Sequence, residues 1–68
     1  MPMTVTINGE AREIPDGLSV AQLVEHLGFA RGRIAIERNR EILSREAWPA
    51  TPVLSGDVYE IVHFVGGG

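Results

Sequence analysis

The chain has 68 residues, 44% of them hydrophobic and 22% charged, and it contains no cysteine. A chain of this length forms one small domain at most, with no room for an enclosed active site. The lack of cysteine excludes disulfides, thiolate metal sites and cysteine nucleophiles, and it fits a reducing cytoplasm. The net charge of −3 argues against nucleic-acid partners, and no apolar stretch approaches the roughly 20 residues that cross a bilayer. We therefore expect a cytoplasmic protein that is a monomer when free and needs neither nucleic acid nor membrane.

The first two predicted elements form a β-hairpin. Apolar and polar residues alternate over 3–8, which is the period of a strand with one buried face. Asn8 and Gly9 follow, and this dipeptide is the strongest short-range signal for a two-residue hairpin turn. The return strand over 10–14 has Ile14 as its only large apolar residue, so we expect it at an edge of the sheet.

A helix is predicted over 19–28, with signals at both ends. Ser19 is a natural N-cap with Gln22 as its capping-box partner, and Gly28 occupies the position where a left-handed residue commonly ends a helix. Four residues at helical spacing form one apolar stripe for the core: Val20, Leu23, Val24 and Leu27.

A second hairpin is predicted over 34–43, with its turn at 39–40. Ser44 is then expected to cap a short helical or 3₁₀ turn that stops before Pro49. Within that turn, Trp48 is expected to pack over the edge of the core.

The last predicted strand, over 58–65, is the most apolar one. Its apolar residues fall on both faces, which predicts a central place in the sheet. If Tyr59 and Ile61 point at the helix, Val62 and Phe64 lie on the opposite, open face. These two side chains either cover the sheet edge or form a patch that docks a partner.

The predicted fold class is α+β, a mixed sheet with one main helix across one face.

We expect the folded domain to span 1–65 and a mobile tail to span 66–68, because glycine loses the most conformational freedom on folding. Such a tail can thread a channel too narrow for side chains and carry the carboxylate of Gly68 into another protein's active site. A nucleotide could activate this carboxylate as a mixed anhydride, and sulfide or a thiolate could then displace the nucleotide. With sulfide the product is a thiocarboxylate. A flexible end without a role is the alternative.

An arginine-rich segment spans residues 31–45. Five arginines against two glutamates give it a charge of +3 in a chain whose net charge is −3. The segment is either a solvated face or a docking site for an anionic surface.

No residue set indicates catalysis. His26 and His63 are the only histidines, and neither has ligand or triad spacing with its neighbours. Glu10 and Glu13 have no cleft around them and are expected to be solvated strand residues. We therefore expect no catalytic residue and no metal site.

Several segments together resemble one family, the ThiS sulfur carriers of thiamin biosynthesis, which have a ubiquitin-like β-grasp fold. The segments are "MTVTINGE", "SVAQLVEHLG", "IAIERN", "REAW" and "SGDVYEIVHFVGGG". The likeness covers nearly the whole chain. It implies that the first and last strands are adjacent and parallel.

The resemblance also implies a function as a protein co-substrate and not as an enzyme. An E1-like, ThiF-like adenylyltransferase would use ATP and Mg²⁺ to adenylate the carboxylate of Gly68, and no cofactor would bind to the chain itself. A sulfur donor system would form the thiocarboxylate, and a ThiG-like thiazole synthase would take its sulfur for the thiazole ring. The expected contact residues are Val62, Phe64 and Val65 on the partner surface and Gly66 and Gly67 in the recognised tail.

Three alternatives remain open at this stage. The small subunit of molybdopterin synthase shares the fold and the Gly-Gly end, although the compact length here favours thiazole. A carrier for cysteine biosynthesis is the second alternative. The third is a ubiquitin-like interaction module whose tail is never activated.

Overall fold

The computed structural model describes residues 1–29 and 32–64, which contain a five-stranded mixed sheet and one α-helix, α1 (Val20–His26). The strands are β1 (Met3–Ile7), β2 (Glu10–Ile14), β3 (Ile34–Arg38), β4 (Glu41–Leu43) and β5 (Val58–His63). Their order in the sheet is β2-β1-β5-β3-β4, with β1 and β5 parallel and the other neighbours antiparallel. The predicted α+β class, the edge position of β2 and the central position of β5 are confirmed.

The two hairpin turns have left-handed backbone at both central residues. Asn8 and Gly9 have φ angles of 51° and 84°, as the sequence predicted for a type I′ turn. Asn39 and Arg40 adopt the same geometry, with φ angles of 52° and 73°. Arg40 is therefore a residue with a Cβ in a conformation that favours glycine.

Local hydrogen bonds close both ends of α1. The Ser19 hydroxyl accepts from the backbone N–H of Gln22 at 3.1 Å, and the Gln22 side chain accepts from the Ser19 N–H at 2.8 Å. At the other end Gly28 has a φ of 83°, and the Phe29 N–H donates to the Val24 carbonyl at 2.9 Å. The capping box and the glycine stop predicted from the sequence are both confirmed.

The hydrophobic core lies between α1 and one face of the sheet. Three of the four predicted stripe residues of the helix are fully buried, and Leu27 is partly buried against them. Each fully buried side chain of this size contributes about 1.5–3 kcal/mol. The buried core residues are Val5, Ile7, Ile14, Val20, Leu23, Val24, Ile34, Ile36, Trp48, Val53, Tyr59 and Ile61.

The segment after β4 forms a 3₁₀ helix (Arg45–Ala50) that differs from the prediction in two respects. Ser44 occupies the N-cap position but its side chain makes no capping bond, so the predicted capping is wrong. The helix also continues through Pro49, because proline already has a helical φ and removes only its own N–H donor. Trp48 is buried as expected, and its indole N–H donates to the Leu43 carbonyl at 3.1 Å.

Over residues 1–29 and 32–64, no helix combines the length and the apolar character that crossing a membrane requires.

Replacing Arg40 with glycine should stabilise the protein. Glycine adopts positive φ without the steric penalty of a Cβ, so Arg40→Gly should raise the free energy of unfolding by about 0.5–1 kcal/mol. Urea denaturation measures this change. In the other turn, Gly9→Ala introduces a Cβ at positive φ and should lower the free energy of unfolding by a similar amount. Equal stability of Arg40→Gly and the parent protein would contradict this account of the turn.

Candidate functional site

Strand β5 precedes the C-terminal glycines in the sequence. It pairs over different lengths with its two neighbouring strands, β1 and β3. Strand β1 pairs only with Val58 and Tyr59. Strand β3 pairs with residues 59–63, and the Phe64 N–H donates to the Arg33 carbonyl at 2.9 Å. The end of β5 nearest the glycines is therefore held by backbone bonds from β3.

The side chain of Asn8 continues the pairing where the backbone of β1 turns away. Its Oδ1 atom accepts from the Ile61 N–H at 2.7 Å, and its Nδ2 atom donates to the Ile61 carbonyl at 3.1 Å. Its own backbone N–H donates to the Tyr59 carbonyl at 2.9 Å. The carboxamide thus presents to Ile61 the same donor and acceptor that a strand residue would present.

A buried carboxylate, Asp57, anchors the start of β5. It is only 5% exposed. Its Oδ2 atom accepts from the Tyr59 hydroxyl at 2.8 Å and from Arg38 Nε at 3.1 Å. The Leu54 backbone N–H donates to the same oxygen at 3.0 Å, and Asn39 Nδ2 donates to Oδ1 at 3.2 Å. The turn before β5 is therefore bonded to the turn between β3 and β4.

These bonds decide the charge states of the two titratable groups at the centre of the network. Burial alone would raise the pKa of the Asp57 carboxyl. The donated hydrogen bonds, led by the one from the Leu54 backbone, outweigh burial and hold that pKa below its ordinary value. Burial and the bond to Asp57 raise the pKa of Tyr59 to about 12. Asp57 is thus a charged acceptor and Tyr59 a neutral donor at physiological pH.

The open face of β5 carries the predicted apolar pair. Tyr59 and Ile61 are buried against the helix side, whereas Val62 and Phe64 are 54% and 61% exposed. This arrangement of the side chains agrees with the sequence prediction, and contact with a partner stays a prediction. Ile42 of β4 adds a third large apolar side chain and is 82% exposed.

A shallow cavity of about 120 Å³ lies on this open face between β5, β3 and β4. Sequence reasoning did not assign Ile42 to the face. The available signal was the two-residue turn at 39–40, because it pairs Ile42 with Glu37 across the hairpin and puts both on one side of the sheet. The residues that line the cavity are Ala35, Ile36, Glu37, Ile42, Glu60 and Val62.

Several predicted residues lie outside the described part of the chain. They are Val65 on the partner surface, Gly66 and Gly67 in the tail, and Gly68 as the activated residue. The predicted boundary between domain and tail also falls there.

The arginine-rich segment is not one uniform face. Arg38 is an ion-pair partner of Asp57, and the guanidinium of Arg45 lies 5.0 Å from the centre of the Trp48 ring. Both arginines therefore have structural contacts within the domain.

The histidines have ordinary surroundings. His63 packs edge-on against Phe29, with 5.2 Å between the ring centres, and His26 is exposed on the helix. Within the described ranges there is no group of three or more acidic or histidine side chains that could hold a metal ion.

Comparison with known proteins identifies the family. The family model described as the ThiS family matches residues 5–68. The chain belongs to the ThiS family. A crystal structure of the thiamine biosynthesis protein ThiS from Geobacter metallireducens matches with a TM-score of 0.82 and 38% identity, covering 97% of this chain and 100% of that one. The ubiquitin-like β-grasp fold is thereby confirmed.

Two further relatives match this ThiS-family chain over different shares of their own length. The sulfur carrier protein ThiS of Bacillus subtilis is 49% identical over 35 residues, which are 52% of this chain and 53% of the relative. A thiazole synthase of Magnetococcus marinus is 38% identical over 66 residues, which are 97% of this chain but 20% of the relative. The chain therefore spans about a fifth of the length of that thiazole synthase.

Replacing Asn8 with aspartate tests the side-chain pairing in this ThiS-family protein. Aspartate tolerates the same left-handed turn and can still accept from the Ile61 N–H, but it has no N–H to donate to the Ile61 carbonyl. Asn8→Asp should therefore lower the free energy of unfolding by about 1–2 kcal/mol, as measured by urea denaturation. Asn39→Asp makes the same change in the other turn, where Nδ2 donates to Asp57, and should also destabilise. Unchanged stability of Asn8→Asp would show that the bond from Nδ2 to Ile61 contributes nothing.

The Asp57 network predicts a specific acid sensitivity. The folded pKa of Asp57 lies below its ordinary value, so its contribution to stability is fully present above the ordinary value and is lost as the pH falls through the lower folded pKa. At pH 7, Asp57→Asn should lower the free energy of unfolding by about 2 kcal/mol. This difference from the parent protein should shrink as the pH is lowered from about 5 to about 2. Exposed Asp16→Asn is the matched control, and a difference that stays constant with pH would contradict the assignment.

Proposed function

We propose that this protein is a sulfur carrier for the thiazole ring of thiamin and that Gly68 carries the reactive carboxylate. The observation that supports this most strongly is the ThiS family match, which runs from residue 5 through Gly68. The domain would act as a co-substrate, presenting the carboxylate to enzymes that perform the chemistry. The proposal requires that the mature protein ends at Gly68.

The proposed chemistry solves a problem of carboxylate reactivity. A carboxylate repels nucleophiles and has a poor leaving group. An E1-like adenylyltransferase would use ATP and Mg²⁺ to join the carboxylate oxygen to the α-phosphate, releasing pyrophosphate. Sulfide (HS⁻) would then attack the carbonyl carbon, the bond from carbon to the phosphate oxygen would break, and AMP and a proton would leave. The product is a thiocarboxylate, a sulfur nucleophile.

The folded domain would supply most of the binding energy for these encounters. Fixing one backbone residue costs about 1–2 kcal/mol, so holding Gly66–Gly68 in a partner's channel would cost on the order of 3–6 kcal/mol. Glycines offer few contacts to offset this. Exposed Val62 lies on β5 and exposed Phe64 directly follows it, ahead of these glycines. Both support a role as the docking surface together with Val65.

The relatives favour thiazole over the other sulfur acceptors. Two thiazole synthases, from Magnetococcus marinus and Paramagnetospirillum magneticum, contain a region of 66 residues similar to this chain. A carrier domain joined to its acceptor enzyme would benefit from a high effective concentration. We therefore propose a ThiG-like thiazole synthase as the sulfur acceptor of this protein, ahead of a pterin or cysteine pathway.

The direct test is the conversion of the purified protein to its thiocarboxylate. Incubation with the adenylyltransferase of the same genome, ATP, Mg²⁺ and sulfide should raise the intact mass by one oxygen-to-sulfur exchange. The control is a variant with one alanine added after Gly68. The Gly68 carbonyl of this variant is part of a peptide bond and not of a terminal carboxylate, so its intact mass should not change. An unchanged mass of the parent protein would favour the passive interaction module.

Two further measurements complete this test. The intact mass of the protein isolated from its native cells should correspond to a chain that ends at Gly68. Adding thiazole synthase and its small-molecule substrates to the thiocarboxylate should return the carboxylate form. A native chain with untrimmed residues after Gly68 would contradict the proposal, and a thiocarboxylate that thiazole synthase does not consume would contradict the thiazole assignment.

A further inference from the structure

The carboxamide of Asn8 is both a structural group and a reactive one. Asn8 lies in an exposed turn and is followed by Gly9. The backbone nitrogen after an asparagine can attack the carbonyl carbon of its side chain, and glycine obstructs this attack least because it has no Cβ. The space around Gly9 is open, since an added Cβ would meet no atom within 4 Å. The turn between β1 and β2 therefore contains a pair of residues that is prone to deamidation.

The fold holds this carboxamide away from the nitrogen of Gly9. Its Oδ1 atom accepts from the Ile61 N–H at 2.7 Å, and its Nδ2 atom donates to the Ile61 carbonyl at 3.1 Å. The bond to Oδ1 alone would help the attack, because it stabilises the negative charge that develops on this oxygen. The second bond fixes the plane of the carboxamide against β5, so Cγ cannot turn toward Gly9 while both bonds persist. The reaction therefore requires that the side chain first leaves Ile61.

Deamidation would remove the contact that extends the β1 side of β5. Backbone pairing with β1 ends at Tyr59, and the described bonds to Ile61 on that side come from the Asn8 side chain. In the aspartate product an oxygen replaces Nδ2, so the Ile61 carbonyl faces an acceptor in place of a donor. In the isoaspartate product the main chain runs through Cβ and Cγ, and the free carboxylate is attached to Cα itself. This carboxylate is one carbon closer to the backbone and cannot reach Ile61.

We propose that Asn8 is a deamidation site that its bonds to Ile61 protect, and that its reaction releases β5 from the turn irreversibly. The Gly9 nitrogen bonds to Cγ of Asn8, the proton of this nitrogen passes to Nδ2, and ammonia leaves as the bond from Cγ to Nδ2 breaks. Water then opens the resulting succinimide at one of its two carbonyls and gives aspartate or isoaspartate. Water is the only co-reactant, and the inference is independent of the proposed function.

The test compares the deamidation rates of two Asn-Gly pairs in one molecule. Asp16→Asn creates a second pair with Gly17, in an exposed turn outside the sheet. The purified variant is incubated at mildly alkaline pH in native buffer and in urea, and peptide mass mapping follows the exchange of NH for O at each asparagine. In native buffer Asn8 should react about 10-fold or more slowly than the introduced asparagine, because two hydrogen bonds must break first. In urea the two rates should be similar.

Gly9→Ala is the control for the attacking residue. Its Cβ hinders the approach of the backbone nitrogen to Cγ, so Asn8 of this variant should react several-fold more slowly than Asn8 of the parent protein when both are unfolded in urea. Comparison in urea removes the effect of the substitution on the stability of the turn.

A second measurement follows β5 in the isoaspartate form, which is separated from the parent protein by chromatography. Amide hydrogen exchange at Ile61 should be about 10-fold or more faster in this form, because the N–H has lost its acceptor. The Val62 amide is the internal control. It points toward β3, since backbone groups alternate in direction along a strand, and its exchange should change less.

Each part of the proposal has an outcome that would overturn it. Equal rates at the two Asn-Gly pairs in native buffer would overturn the protection by Ile61. An Asn8 that stays unmodified in urea would overturn the site itself. Unchanged exchange at Ile61 in the isoaspartate form would overturn the release of β5.

Discussion

A central strand must have its backbone N–H and C=O groups paired on both sides, and β5 meets this requirement from three sources. Backbone of β1 pairs with its start, backbone of β3 pairs along most of its length, and the carboxamide of Asn8 pairs with Ile61. At its start, Asp57 bonds the preceding turn to Arg38 and Asn39. The inward side chains of this strand, Tyr59 and Ile61, belong to the same core cluster as the buried residues of α1 and Trp48 of the 3₁₀ helix.

The two faces of the sheet consequently have different roles. The inward face of β5 is filled by Tyr59 and Ile61 and holds the domain together, whereas the outward face is not needed for the core. The outward side chains are therefore free to serve recognition, and they include the exposed apolar groups Val62 and Phe64. A firmly held strand that leads into glycines fits a carrier, since docking on the rigid domain can direct the segment that follows it.

The sequence predicted the features that depend on near neighbours in the chain. Ser19 with Gln22, Gly28 after the helix, and the Asn8-Gly9 turn have signals within a few residues, and all of them appear in the structure. The contacts that hold β5 depend on residues far apart. Asn8 and Ile61 are 53 positions apart, and Arg38 and Asp57 are 19 apart, so local patterns contain no sign of either bond. The stop predicted at Pro49 is wrong for a local reason, because proline already has a helical φ, and the Ser44 side chain makes no capping bond.

The parallel pairing of β1 with β5 also constrains when the protein can fold during synthesis. These strands lie near opposite ends of the described chain, so the sheet cannot close until residues 58–63 have emerged from the ribosome. The first hairpin and the helix can form earlier, but they lack the strand that covers their inner side chains. Assembly of this domain therefore waits for its last strand, and its rate reflects the slow closure of a long-range contact and not the fast formation of its helix.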